Sequence, residues 1–278
     1  MKRIVSLALA FGLGLAHPIL AAAATADSTQ AQQEEQIGKQ FYAQMQQKGE
    51  IIPSSPYYAI LNPIAKQIKR IADPQYYFPF TFILVHEAQP NAFAVPGGNV
   101  YVTDSLMKFV KNREELAGVL CHETSHDIHH DVIHNMGKEQ RAATNIGLGA
   151  LAAQILTGGR YGNLINTGAN LGFQAVYGGY SRPVETAADL KGADTCAEAG
   201  SNPWGMVWLF QQFSQAGSGG TLEMLSDHPT DNHRIADLEA HFAANPRLFA
   251  KYPKSIAYAT PLGSTPRRYG YVNGRMRR

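Results

Sequence analysis

Residues 121–134 read Cys121-His122-Glu123-Thr124-Ser125-His126-Asp127-Ile128-His129-His130-Asp131-Val132-Ile133-His134. Within this stretch His122, Glu123 and His126 have the spacing H-E-x-x-H. Residues four apart on a helix lie one turn above each other, so His122 and His126 present their imidazoles to a single ion. Glu123 then stands beside the ion without binding it, where a carboxylate takes a proton from a water molecule. The flanking residues support a helix. Asn112 and Glu115 form a capping-box pair, and Leu116, Val119 and Leu120 make an apolar face. No Pro or Gly interrupts the run from Gly118 to Met136. His129, His130 and His134 read as solvated side chains of this helix.

Upstream, the Gln-rich segment 28–48 carries Ile37, Phe41 and Met45 at four-residue spacing, which predicts a helix with a narrow apolar stripe lying across the domain. A second helix follows from Ile60, Ile64, Ile68 and Ile71, despite Pro63 near its start. From Tyr77 the pattern becomes β-rich, with runs at 80–85, 92–95 and 99–102 and a Pro96-Gly97-Gly98 turn. These predict a small antiparallel sheet beside the metal helix, and Asp104 is positioned to cap a short helix through Val110. Downstream, 142–156 and 163–177 are almost uncharged and rich in Gly and Ala. Each is too short to span a bilayer, so a helical hairpin packed on the domain is expected, with an exposed apolar flap as the alternative. Three more helices are expected: 184–199 with Glu185 and Asp189, 203–216 burying Trp204, Trp208, Phe210 and Phe213, and one opened by Asp231 and reaching about Ala244.

The first residues divide into a basic start (Lys2, Arg3), an apolar run from Ile4 to Leu20 broken by His17 and Pro18, and an Ala-rich end at 21–24. This is the pattern of a secretory signal peptide rather than a membrane span, and no cysteine lies near it to carry lipid. Residues 1–24 are therefore read as a signal peptide, 25–258 as one domain and 259–278 as a basic tail, in an exported, periplasmic protein that is not a lipoprotein. The formal charge of +2 hides an asymmetry: no acid follows Glu239, while Arg247, Lys251, Lys254, Arg267, Arg268, Arg275, Arg277 and Arg278 do. A solvated tail is the simpler reading, and peripheral contact with an anionic outer-membrane surface or an acidic partner is the alternative. No nucleic-acid partner is expected.

Three further motifs stand around H-E-x-x-H in order. Asn91-Ala92-Phe93-Ala94-Val95-Pro96-Gly97-Gly98 precedes it, Ser181-Arg182-Pro183-Val184-Glu185-Thr186-Ala187-Ala188-Asp189 has the form S-R-x-x-E-x-x-A-D, and His228-Pro229 is followed by Arg234-Ile235. With these motifs the chain resembles the HtpX-like and CAAX-prenyl-protease-like gluzincin metallopeptidases over about residues 34–245. The family more often has Gly at the position of Ser125, an apolar residue at Asp127 and Arg-His at His130-Asp131. None of these departures is expected to touch a ligand or the base. The family's frequent transmembrane helices are absent from the pattern, as in a stand-alone exported form.

The resemblance implies a mainly helical α+β zincin fold and one zinc ion per chain held by His122, His126 and Glu185, with Glu123 as the base. It implies Asp189, Arg182 and Arg234 behind the ligands, Asn91, Ala92, Phe93 and Ala94 as an edge strand for extended peptide, and His228 near the metal, as an oxyanion donor or as a plug on the open position. It further implies an endopeptidase for damaged or misassembled envelope proteins. A proteolytically silent, chaperone-like binder is the rival, against which the presence of Glu123 speaks; a metal store built on the histidines is another. If Glu185 meets the metal, Cys196 lies eleven residues along the same helix, roughly 16 Å from it, while Cys121 adjoins His122. Two buried thiols are expected.

Overall fold

The metal helix, α4 (Arg113–Ile128), lies at the centre of the protein, with every residue from Arg113 to Asp127 buried. The structure is a computed structural model that describes residues 17–136, 179–216, 228, 232–264, 271–272 and 275–276. The expected apolar hairpin at 142–177 and most of the leader lie outside the described residues. Asn112 caps α4: its Oδ1 accepts from the Glu115 amide at 2.8 Å, and its Nδ2 donates to the Glu115 carboxylate at 2.7 Å. The other Glu115 oxygen accepts from the Lys111 amide at 2.7 Å, just before the cap, so Glu115 closes the helix start on both of its oxygens. Being enclosed on all sides, α4 must also satisfy polar side chains internally. Thr124 and Ser125 do so by donating to the Cys121 carbonyl at 2.9 and 2.8 Å. The helix does not run on to Met136: it ends at Ile128, and His130 takes a left-handed φ of 55° before a helical segment resumes at 131–136.

Beside α4 lies a three-stranded sheet of β1 (Thr81–Val85), β2 (Ala92–Val95) and β3 (Asn99–Thr103) in the order β1-β3-β2. β2 and β3 form the expected antiparallel hairpin across Pro96-Gly97-Gly98, but β1 pairs with β3 in parallel, Thr81 opposite Asn99 and Val85 opposite Thr103. The sheet is mixed rather than antiparallel because β3 inserts between the two strands that precede it. Alternation then sorts the side chains. Phe82, Leu84, Ala92, Ala94, Val100 and Val102 face the helical core, whereas Ile83, Val85, Phe93, Val95 and Tyr101 face Phe41 and Met45 of α1 (His17–Gln47). The sheet is thus covered on one face by α1 and on the other by the remaining helices.

Helix α2 (Tyr58–Ala72) buries Leu61, Ile64, Ala65 and Ile68. Helix α3 (Asp104–Phe109) is capped by Thr103, whose Oγ1 accepts from the Leu106 amide at 3.1 Å, and not by Asp104, which instead pairs with Lys108 at 2.8 Å. Helices α5 (Arg182–Ala199), α6 (Trp204–Ala216), α7 (Asn232–Ala244) and the short α8 (Pro246–Phe249) complete the core, where Trp204, Trp208, Phe210 and Phe213 are buried as expected. The chain then returns to the start of α4: Glu114 accepts from the amide of Thr260 at 2.8 Å and from its hydroxyl at 2.7 Å. In the basic tail β4 (Tyr271–Val272) pairs antiparallel with β5 (Arg275–Met276). Among the described residues no helix is long and apolar enough to cross a membrane.

Helices α4 and α5 run antiparallel. Ala117 meets Cys196, His122 meets Asp189 and His126 meets Glu185 as one ascends and the other descends. Their backbones approach closely at Gly192, where a Cβ would stand 3.0 Å from the His122 Cα. This corrects the expectation of two free thiols: Cys121 and Cys196 form a disulfide, with Cα atoms 5.9 Å apart. The length of α5 between Glu185 and Cys196 does not separate the cysteines, because α4 runs alongside it. The disulfide joins the middle of α4 to the last turn of α5, and the ligands follow from His122 onward, towards the start of α5. Alkylation without reductant should therefore leave both cysteines unmodified in mass spectra. The Cys121→Ser/Cys196→Ser variant should lose about 4 kcal/mol of stability in denaturant titration, since the bridge closes a 75-residue separation.

Candidate active site

Four buried side chains converge where α4, α5 and the segment before α7 meet. One donor atom each from His122, His126, Glu185 and His228 lies within 4.8 Å of the others. The two α4 imidazoles are fixed from behind by carboxylates. His122 Nδ1 lies 2.9 Å from Asp189 Oδ1, and His126 Nδ1 lies 2.8 Å from Asp131 Oδ2. Both Nε2 atoms are thereby turned inward, as paired carboxylates orient metal-binding histidines. Arg234, 1 % exposed, ties the carboxylates of α5 together. Its Nε and Nη2 each donate to Asp189 at 2.6 Å, its Nη1 lies 2.8 Å from Glu185 Oε2, and its guanidinium covers the Phe210 ring at 4.5 Å.

The site is built for a positive centre. With Nδ1 of each ring facing a carboxylate, His122 Nε2 and His126 Nε2 stand 3.1 Å apart, a contact that repels between lone pairs and is satisfied by a cation or a proton. His228 Nδ1 joins them at 3.3 Å from His122 Nε2 and 2.9 Å from Glu185 Oε1. The ionisation of the groups expresses the same demand. Burial disfavours a charged His122, yet Asp189 and Glu185 outweigh it and carry its pKa up to about 10. Burial likewise opposes ionisation of Glu185, but His228 and His122 hold its carboxyl far below the usual range. Three imidazoles and a carboxylate, dry and orientated, are a donor set that suits zinc.

Glu123 has a different environment. Its Oε2 accepts from the Ala94 amide at 3.0 Å, and its Oε1, buried without a hydrogen-bond partner, lies 3.7 Å from His228 Nε2. Burial pushes its pKa upward, the direction expected for a carboxylate that must hold a proton in passing. The Ala94 amide is available because β2 is at the sheet's edge and uses its outward donor on Glu123 rather than on another strand.

Of the residues expected from sequence, His122, Glu123, His126, Glu185, Asp189, His228, Arg234 and Ala94 are brought together. Arg182 is exposed on the first turn of α5, and the guanidinium seen against the α5 carboxylates is that of Arg234. Asn91 is a buried strand-end residue whose amide donates to Thr103 Oγ1 at 2.9 Å. Phe93 turns away from the site and stacks on Tyr101 at 5.2 Å. Two contributors were missed. Asp131 does touch a ligand, contrary to expectation, and Tyr180, 9 % exposed, stacks on the His126 ring at 4.2 Å. Asp131 lies five residues beyond His126, off the helical repeat, so no spacing marks it. Tyr180 has one local signal, its position just before the Ser181-Arg182 motif.

Fold and site together define a gluzincin-type metal hydrolase, with an H-E-x-x-H helix, a glutamate from a second helix and an edge strand alongside. The family model described as Peptidase family M48 matches residues 59–241, and the chain belongs to that family. It is 32 % identical over 163 residues to the beta-barrel assembly-enhancing protease of Yersinia pestis, covering 57 % of this chain and 34 % of that protein. Its identity to the protease of the same name from Escherichia coli K12 is 28 % over 209 residues, 74 % of this chain and 43 % of the relative. The mitochondrial metalloendopeptidase OMA1 of Schizosaccharomyces pombe is 31 % identical over 158 residues, 56 % of this chain and 44 % of the relative. The matched region thus spans less than half the length of each of these relatives.

Removing Arg234 would take from Asp189 and Glu185 the buried guanidinium that they share. Arg234→Met should cost about 3–5 kcal/mol in thermal or chemical unfolding and co-purify with less zinc. Asp131→Asn should weaken zinc by about 10- to 100-fold in chelator competition while the protein stays folded, because the imidazole loses its orienting carboxylate.

Proposed function

We propose that this protein is an exported zinc endopeptidase that hydrolyses damaged or misassembled proteins of the cell envelope. The observation that carries the reading is Glu123, a buried carboxylate held by the Ala94 amide on one oxygen and left open on the other, next to a four-donor metal site. His122, His126 and Glu185 would hold zinc, which when bound would supply a Lewis acid to polarise a peptide carbonyl and make a water molecule acidic. Glu123 Oε1 takes the proton from that water and later delivers it to the departing amine nitrogen. Asp189 and Asp131 keep the two imidazoles in register throughout, and Arg234 holds Asp189 behind His122. Edge strand β2 offers backbone groups to an extended peptide, a mode of recognition that tolerates varied side chains.

His228 is the fourth donor of the resting site. Its Nδ1 approaches the ligands while its Nε2 faces Glu123, so it occupies the ground where a scissile carbonyl and its water belong. It therefore acts as a plug that substrate displaces, rather than as an oxyanion donor. Export is supported by the basic-apolar-Ala order of residues 1–24 and by the Cys121–Cys196 disulfide, which persists in oxidising compartments. The envelope substrates rest on the names of two relatives, both beta-barrel assembly-enhancing proteases. Contact of the basic tail with an anionic outer-membrane surface is the accompanying expectation for location.

Purified protein should cleave casein or an unfolded porin, and a chelator should stop it. Glu123→Gln should keep its zinc yet cleave about 10²- to 10⁴-fold more slowly, since the amide fills the same space without accepting a proton. Normal turnover by that variant would rule out the mechanism. His228→Ala should raise basal cleavage; a fall in kcat would instead assign it to the oxyanion.

A further inference from the structure

The sharp end of α4 has a second buried cluster that the hydrolytic machinery does not use directly. At its centre is Glu34 of α1, 1 % exposed although it is a carboxylate. It accepts from His130 Nδ1 at 2.7 Å, from Gln30 Nε2 at 3.1 Å and, on its other oxygen, from the Tyr76 hydroxyl. The Tyr76 oxygen in turn accepts from the Gly97 amide at 3.0 Å, in the turn that ends β2. His130 is the one residue besides glycine with positive φ among the described residues, and its ring also lies against Tyr77 at 4.9 Å. The sequence marks His130 as a solvated surface histidine; its side chain is 21 % exposed and anchored.

A left-handed φ is costly for a residue with a Cβ and persists only where surrounding contacts hold it. Here the hold is a charge-assisted hydrogen bond to a buried carboxylate. Its consequence lies one residue on. The reversal at His130 ends α4 and brings Asp131 back onto His126 Nδ1 at 2.8 Å. If the chain continued as a helix, Asp131, five residues after His126, would point away from it. Through Tyr76 and Gly97 the same carboxylate also braces the turn of the strand whose Ala94 amide holds Glu123.

We propose that Glu34 is a positioning residue for the metal site: by clamping His130 in the left-handed conformation, it sets Asp131 against His126 and so fixes that ligand's orientation. The N-terminal helix is in this way coupled to the metal, although none of its side chains touches a donor atom among the described contacts. The inference rests on the reading of His126 as a zinc ligand. The seat of α1 does not depend on Glu34. Phe41 and Met45 are buried against the sheet, and Gly38 lies against the Pro96 carbonyl with no room for a Cβ.

The test uses full-length protein and reads zinc affinity by chelator competition, together with the d–d spectrum after cobalt substitution. Glu34→Ala and His130→Ala should each bind zinc about 10- to 100-fold more weakly and alter the cobalt spectrum, as loss of an orienting carboxylate does. His130→Gly should lose less than His130→Ala, because glycine adopts φ 55° unaided. Glu34→Ala/His130→Gly should recover part of what Glu34→Ala loses, which lost packing alone would not permit. Wild-type affinity and spectrum in Glu34→Ala, or a glycine variant no better than the alanine one, would overturn the proposal. Should Glu34→Ala fail to fold by circular dichroism, the order of the two His130 variants decides. A wild-type protein that binds zinc but cleaves nothing would defeat the peptidase reading and leave this comparison intact.

Discussion

The close antiparallel contact of α4 with α5 is the constraint on which the rest of the protein depends. Gly192 lets the backbones meet at His122, and the contact carries a different chemistry at each level. Cys121 is joined to Cys196, the next residue His122 faces Asp189, and one turn further His126 and Glu185 come together. A covalent bridge and a metal site thus fasten the same pair of helices in adjacent turns. Since α4 is enclosed along its length, a shift at either end is transmitted to the core and not absorbed at a surface.

Such a site is expensive to bury. Glu123, Asp131, Glu185, Asp189 and Arg234 are all at most 8 % exposed, and carboxylates removed from water cost several kcal/mol each unless paired. The arrangement answers this by sharing. Arg234 serves two carboxylates, each α4 imidazole serves one, and the remaining negative charge favours a cation among the four donors. Orientation is what the buried charges contribute in return. With Nδ1 of both rings taken, only Nε2 is left to face a metal.

The two hydrophobic clusters divide the labour. The larger one packs α2, α4, α5, α6 and α7 against one face of the sheet and sets where the ligands stand. The smaller one seats α1 on the opposite face through Phe41, Phe93 and Tyr101, whose rings lie 5.0–5.7 Å apart. Strand β2 belongs to both. Phe93 and Val95 are packed under α1, while Ala92 and Ala94 face the helices, and the small side chain at position 94 leaves its amide open to Glu123. The strand beside the metal site is therefore braced from behind by a helix that has no donor atom in the site among the described residues.

What the sequence determined by itself was what repeats or caps locally. His122 and His126, and again Glu185 and Asp189, are four apart and share a helix face wherever that helix lies; Asn112 and Glu115 close a helix start within four residues; Pro96-Gly97-Gly98 turns β2 into β3. These features depend on backbone geometry over a few residues, so spacing alone makes them legible. Only the tertiary structure decided which distant segments meet. The parallel pairing of β1 with β3 follows from β3 inserting between its predecessors, and the disulfide follows from α4 lying along α5 rather than from the length of either helix. Arg234 reaches the α5 carboxylates because α7 packs against α5. Asp131 reaches His126 only because His130 reverses the chain, a conformation held by Glu34 from 96 residues away. A contact at that separation is set by how the helices and sheet bury their apolar faces, and no local pattern encodes it.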